Sequence, residues 1–219
     1  MRATIIAAIA LLGCRTITNY NPDTTEVTNP RHWQVVNGQA EVFNDGGAKA
    51  IKLAPTGGNH EKGSNVALAL ARGFELTTGT IEVDLKGNPD GQSSFLGVAF
   101  NIKSPTEYEA IYFRPFNFKA DGDNHGHAVQ YVSWPNNTWE ALRNASPGKY
   151  EAALEPAPDP VDWFHARIEV GDKEVKVFVN GSSTPSLTVD RLATPSKTKA
   201  ALFVDSQPGA FKELSLHES

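Results

Sequence analysis

From Trp33 onward, apolar and polar residues alternate with a period of two in short runs separated by Gly, Pro, Asn and Asp. The clearest run is Gly79-Thr-Ile-Glu-Val-Asp-Leu-Lys-Gly87. It puts Ile81, Val83 and Leu85 on one face of a strand and Thr80, Glu82, Asp84 and Lys86 on the other. Similar runs predict strands over Trp33–Val36, Gln39–Phe43, Ala48–Leu53, Val66–Leu70, Phe95–Ile102, Tyr108–Arg114 and Ala128–Trp134. Four more follow: Trp163–Val170, Glu174–Val179, Ala200–Asp205 and Phe211–Leu216. Asn37-Gly38 is a dipeptide that favours a two-residue hairpin between the first two strands. Asn137–Glu151 is less regular, with room for a helical turn, and Pro156-Ala-Pro-Asp-Pro160 is a stiff bend. About twelve short antiparallel strands in one chain predict an all-β sandwich or barrel.

Alternation also separates two faces in the middle of the chain. Leu96, Val98, Phe100, Ile111 and Phe113 share the apolar phase and are expected in the core. The opposite phase carries Gly97, Ala99, Asn101, Ala110, Tyr112 and Arg114, joined from the next strand by Gln130, Val132 and Trp134. Small residues in mid-strand keep such a face open. An aromatic plane with amide and guanidinium donors is how a sugar site is built. Asn101, Tyr112, Arg114, Gln130 and Trp134 are therefore the candidate ligand-binding residues. The alternatives are a solvated sheet face, or one covered by the 137–151 segment.

Glu109 breaks this pattern, since it shares the phase of Ile111 and Phe113. It is either a buried, paired carboxylate or a sign that the register slips by one. His165 falls on the polar face of its strand with Trp163, Arg167 and Glu169. Glu82, Asp84, Glu109, Glu151 and His165 are the acid–base candidates, and no catalytic pair is identifiable among them. Glu82-Val-Asp84 matches the start of the Glu-x-Asp-x-x-Glu motif of family 16 glycoside hydrolases, but Gly87 stands where the second glutamate is needed. A retaining mechanism needs two facing carboxylates, so that reading fails. Asp121-Gly-Asp-Asn-His-Gly-His127 opens like a calcium loop but has Val132 where a bidentate glutamate is required, and it reads as a polar surface loop. No metal site is assigned.

Composition adds limits. The chain has 219 residues, 40% hydrophobic and 21% charged, enough for one domain with a sizeable core. A net charge of −5 with no basic stripe argues against nucleic acid as a partner. Met1-Arg2 followed by an apolar run from Ile5 to Leu12 is too short to span a bilayer. It ends in Leu11-Leu12-Gly13-Cys14, which resembles a bacterial lipobox. That implies a signal peptide over 1–13, lipidation of Cys14, a polar tether over 14–29 and a domain over 30–219. The protein would be exported and held at the membrane through its lipid, on the periplasmic or outer-membrane side. The alternative is an incidental cysteine in a secretory signal or a core strand.

Two stretches carry a wider resemblance. Val175-Lys-Val-Phe-Val-Asn-Gly181 is similar to the late hairpin of concanavalin A-like jelly rolls, and Phe211-Lys-Glu-Leu-Ser-Leu216 to their closing strand. More narrowly, Trp33 to Leu216 resembles bacterial secreted domains of the 3-keto-disaccharide hydrolase type. The matching motifs are Tyr112-Phe-Arg-Pro-Phe-Asn-Phe118, His127-Ala-Val-Gln-Tyr131, Pro147-Gly-Lys-Tyr-Glu151 and Trp163-Phe-His-Ala-Arg167. The resemblance implies a two-sheet antiparallel jelly-roll sandwich and a carbohydrate ligand. It also implies either cleavage of a glycosidic bond, that of a 3-keto-glycoside included, or a non-catalytic carbohydrate-binding or adhesion module. No organic cofactor is implied; calcium is common in such jelly rolls and is assigned to no residues.

Overall fold

The computed structural model describes residues 18–57, 66–88 and 93–219. Cys14 and the 1–13 segment lie outside the described residues. In chain order the elements are β1 (Asn19–Tyr20), β2 (Trp33–Val36), β3 (Gly38–Asp45), β4 (Ala48–Pro55), β5 (Val66–Ala71), β6 (Gly79–Lys86), β7 (Phe95–Ser104), β8 (Glu107–Phe113) and β9 (Val129–Ser133). Helix α1 (Trp139–Ala145) precedes β10 (Glu151–Ala152), β11 (Phe164–Val170), β12 (Glu174–Val179), β13 (Leu187–Asp190), β14 (Ala201–Asp205) and β15 (Gly209–Glu218). Two antiparallel sheets form the expected jelly-roll sandwich. The first has eight strands in the order β13-β12-β11-β6-β15-β4-β3, with β1 added alongside β15. The second has seven, in the order β10-β9-β8-β7-β14-β5-β2.

The core between the sheets is built from the apolar phases seen in the sequence. Ile81, Val83 and Leu85 of β6 face Leu96, Val98, Phe100, Ile111 and Phe113 of the second sheet, all buried. Phe164 meets Phe113 and Phe118 edge-on, each pair with ring centroids 5.1 Å apart. Such edge-to-face contacts stabilise beyond the area they bury.

Two sequence expectations are corrected. Asn37-Gly38 does not close a hairpin, because β2 pairs with β5 in the second sheet while β3 pairs with β4 in the first. The chain changes sheet there, with Asn37 at φ 55°. Gly38 passes so close that a Cβ would lie 2.5 Å from the Ala67 Cβ. Asn37 takes the left-handed conformation that such a dipeptide favours, but Gly38 already opens β3, and a local signal cannot say which strand will be the neighbour. The segment expected as a tether is also docked from Asn19 onward. Asn19 and Tyr20 pair with His217 and Leu216, Val27 is buried in the core, and the Trp33 indole donates to the Asp23 carbonyl at 3.0 Å.

Candidate functional site

The outer face of the second sheet carries a cavity of about 870 Å³. Its floor begins with a glycine. Gly97 on β7 lies between Tyr112 of β8 and Phe203 of β14. A Cβ there would meet the Ile111 carbonyl oxygen at 2.1 Å. With no side chain at position 97, the Tyr112 and Phe203 rings stack across it, 5.7 Å apart and 19° from parallel. Phe95 meets both Tyr112 and Phe116 edge-on. Trp134, at the end of β9, and Trp139, on α1, complete an aromatic wall. Trp139 is 38% exposed, among the most exposed large apolar side chains of the described residues.

The polar end follows from the register. Tyr112 pairs with Gln130 and Gln130 with Glu151, so three neighbouring strands bring an aromatic, an amide and a carboxylate into one row. Arg114, two residues beyond Tyr112, shares that face. It donates to the Tyr112 hydroxyl at 3.1 Å, the Gln130 Oε1 at 3.3 Å and the His127 carbonyl at 2.8 Å. Its guanidinium also lies 5.0 Å from the Tyr112 ring centroid and 5.7 Å from that of Phe95. Burial pushes the Tyr112 hydroxyl above its ordinary pKa, and the Arg114 charge works against that rise.

Glu151 is the buried carboxylate of this end. Arg143 of α1 grips it bidentately, Nε at 2.8 Å and the second guanidinium nitrogen at 2.6 Å. These bonds raise the Arg143 pKa, against the opposing effect of its partial burial. Arg114 approaches Glu151 to 3.9 Å, and His127 Nδ1 lies 2.8 Å from its Oε2 but out of line for a hydrogen bond. Helix α1 exists to place Arg143: Thr138 caps it by accepting from the Ala141 amide at 3.2 Å, and Leu142 anchors it in the core. The 137–151 segment thus forms one wall of the cavity instead of sealing it.

The predicted residues divide. Tyr112, Arg114, Gln130 and Trp134 come together as the spacing indicated. Gln130, however, is only 1% exposed, and its amide donates to the Tyr131 and Tyr150 carbonyls. It braces Arg114 from behind and offers nothing to the cavity. Asn101 is not on this face, which corrects the expected set. It sits at φ 50° where the β7–β8 register shifts, and this bulge turns its side chain to the inner side. There it donates to Glu109 Oε2 at 2.7 Å and accepts from Ser196.

Glu109 is the buried, paired carboxylate of the two alternatives. Arg191 holds it at 2.7 Å and the Tyr131 hydroxyl donates to it at 2.6 Å, so it closes a network away from the cavity. His165 lies on the outer face of the first sheet, with Nδ1 2.8 Å from Asp84 Oδ1. It is on the other sheet from Arg114, so the strands bring no acid–base pair together from Glu109 and His165. Residues missed from the sequence are His127, Arg143, Phe203 and Trp139. His127 sits just ahead of β9, and Arg143 follows Thr138 by one helical stretch; neither position is marked without knowing that β10 pairs with β9. Among the described residues no group of three or more His, Cys, Asp or Glu is placed to hold a metal ion. His125 is drawn toward Glu155 and His127 toward Glu151, so the two loop histidines diverge.

No protein-family model matches the chain, and a search of curated proteins finds no match. Solved structures do match, at low identity. The carbohydrate-binding module CBM66 from Bacillus subtilis superposes with TM-score 0.56 at 14% identity, covering 86% of this chain and 97% of that one. The Bacillus licheniformis β-glucanase gives TM-score 0.57 at 12% identity, covering 94% and 100%. A prokaryotic β-1,3-1,4-glucanase (lichenase) from a mouse hindgut metagenome gives 0.58 at 11%, covering 92% and 99%. At these identities the likeness is one of fold.

Proposed function

We propose that this chain is a carbohydrate-binding protein that lays a saccharide along the aromatic cavity of the second sheet. The supporting observation is the cavity itself. Trp134, Trp139, Phe95 and Phe116 offer apolar planes for the C–H faces of sugar rings, and Arg143 stands beside them with donors for hydroxyls. Proteins of this fold include the carbohydrate-binding module and both glucanases above, which fits the reading.

Binding without hydrolysis is the stronger form. A glycosidase needs two carboxylates about 5–9.5 Å apart across the bond. Glu151 belongs to β10 and Asp205 to β14, four strands away, or about 19 Å at the backbone, and the third bordering carboxylate, Glu140, is exposed on α1 at the rim. Both oxygens of Glu151 are held by Arg143, which leaves neither turned toward a glycosidic bond in the cavity. A second reading rests on one approach: His127 lines the cavity wall with its Nδ1 2.8 Å from Glu151 Oε2 but out of line for a hydrogen bond, and a turn of the ring that made this bond would give an oriented general base. In that case the reaction is cleavage of a glycosidic bond, with 3-keto-glycosides as the substrate class that the sequence resemblance favours.

Export and anchoring through acyl chains on Cys14 complete the proposal; the protein would then sample saccharides outside the inner membrane. Calcium remains unassigned. A glycan array run beside an activity screen on 3-keto and unmodified disaccharides tests the whole. We expect array binding that falls in Trp134→Ala and Arg114→Ala, with no product. Product release abolished by His127→Ala would favour hydrolysis, and an array with no bound glycan would sink both readings. Cys14→Ser is expected to move the protein from the membrane fraction to the soluble one.

A further inference from the structure

The polar end of the cavity carries more positive than negative charge in one buried place. Two guanidinium groups, Arg114 and Arg143, share the single carboxylate of Glu151. The bidentate contact neutralises Arg143 against Glu151. Arg114, only 5% exposed, keeps mainly neutral partners: a tyrosine hydroxyl, an amide oxygen and a backbone carbonyl. A guanidinium does not lose its charge on burial, so the excess persists and calls for an anion. The other acidic groups bordering the cavity offset it only in part. Glu140 is exposed at the rim, where water screens it, and Asp205, whose charge reaches the Tyr112 hydroxyl, lies on β14, four strands from the Glu151 clamp, with interactions of its own.

Arg143 is the group positioned to use this excess. Its Nε and one terminal nitrogen are held by Glu151. Its side chain remains 32% exposed in the cavity wall, 5.0 Å from the Trp139 ring centroid. A planar guanidinium fixed on one edge presents its other N–H groups in a defined direction, which suits a carboxylate better than a lone hydroxyl. An aromatic plane beside it would seat the ring that carries the carboxylate.

We propose that the saccharide bound here is acidic, with a uronic acid whose carboxylate enters the Arg114–Arg143 end. This rests on the saccharide-binding reading above and narrows it. The preference would be local in origin, because the whole chain has a net charge of −5 and its overall field repels polyanions.

Uronic-acid oligosaccharides and their carboxyl-reduced counterparts make matched probes, since reduction keeps the rings and linkages and removes only the charge. Oligomers of glucuronate, galacturonate and mannuronate, titrated calorimetrically into the wild-type chain, form the panel. For at least one pair we expect the acid form to bind about tenfold tighter or more, a difference of about 1.4 kcal/mol. That preference should shrink as salt rises and vanish in Arg143→Gln. Lys149→Gln, which removes an exposed charge outside the cavity, should leave it intact. If Arg143→Gln does not fold, the matched pairs and the salt series in the wild type decide alone. Equal affinity for both members of every pair, or a preference lost in Lys149→Gln, overturns the acidic inference while the saccharide reading stands. Binding to none of these nor to any array glycan removes the saccharide reading and takes the inference with it.

Discussion

Glu109 and Glu151 lie two strands apart on the same sheet, each buried and each held by an arginine, yet they face opposite sides of it. Glu109 points between the sheets. Arg191, Tyr131 and Asn101 satisfy it, and two of these side chains reach onward to pin the chain after β13: the Leu192 amide donates to the Tyr131 hydroxyl and the Ser196 amide to the Asn101 Oδ1. Glu151 points outward, and its arginine lines a cavity. Burial of a charge with a partner therefore says little about function by itself. The first network closes a corner of the fold, whereas the second leaves donors beside open space.

Substitutions at the two sites separate these roles. Glu109→Gln leaves Arg191, whose side chain is 2% exposed, without its counter-ion. We expect it to lose about 3–5 kcal/mol of stability in urea unfolding, with glycan affinity of the folded fraction unchanged. Glu151→Gln strips the clamp from a more exposed arginine, so the stability loss should be smaller, about 1–3 kcal/mol. Here neutral-glycan affinity should fall as well, because Arg143 is no longer held in place over Trp139. A variant pair in which both changes affected only stability would erase the distinction.

Surface positions carry the smaller effects. Trp139→Ala should weaken glycan binding by about 1 kcal/mol through loss of an aromatic plane, with melting temperature nearly unchanged since the indole is already partly solvated. His165→Ala, on the far sheet, should change stability by less than about 0.5 kcal/mol and leave glycan binding alone. An effect of His165→Ala on binding or turnover would move the site to the outer face of the first sheet.

Much of this architecture is legible in the alternation. β6 and β11 bury the phases that the sequence assigns, because a strand with one apolar face has one stable way to lie on a core, whereas β8 is buried on both faces. Counting in twos fails where the backbone departs from a flat strand. Asn101 follows a bulge at positive φ, a conformation that asparagine tolerates better than most residues, and that tolerance was the one available signal. The cavity was half readable: Tyr112, Arg114 and Trp134 sit on strands with a clear phase. Arg143, His127 and Phe203 reach it through a short helix, a loop and a strand remote in sequence. Their meeting depends on which strands become neighbours, and periodicity carries no information about that.

The four tryptophans offer a direct test of where ligand sits. Trp134 and Trp139 border the cavity, Trp33 is buried between the sheets, and Trp163 packs under Lys212 on the opposite sheet. Their indole N–H resonances can be followed separately in a ¹⁵N-labelled chain titrated with a glycan selected from the array. The account predicts progressive shifts of the Trp134 and Trp139 signals with those of Trp33 and Trp163 unmoved. Shifts confined to Trp33 or Trp163 on saturating glycan would contradict it.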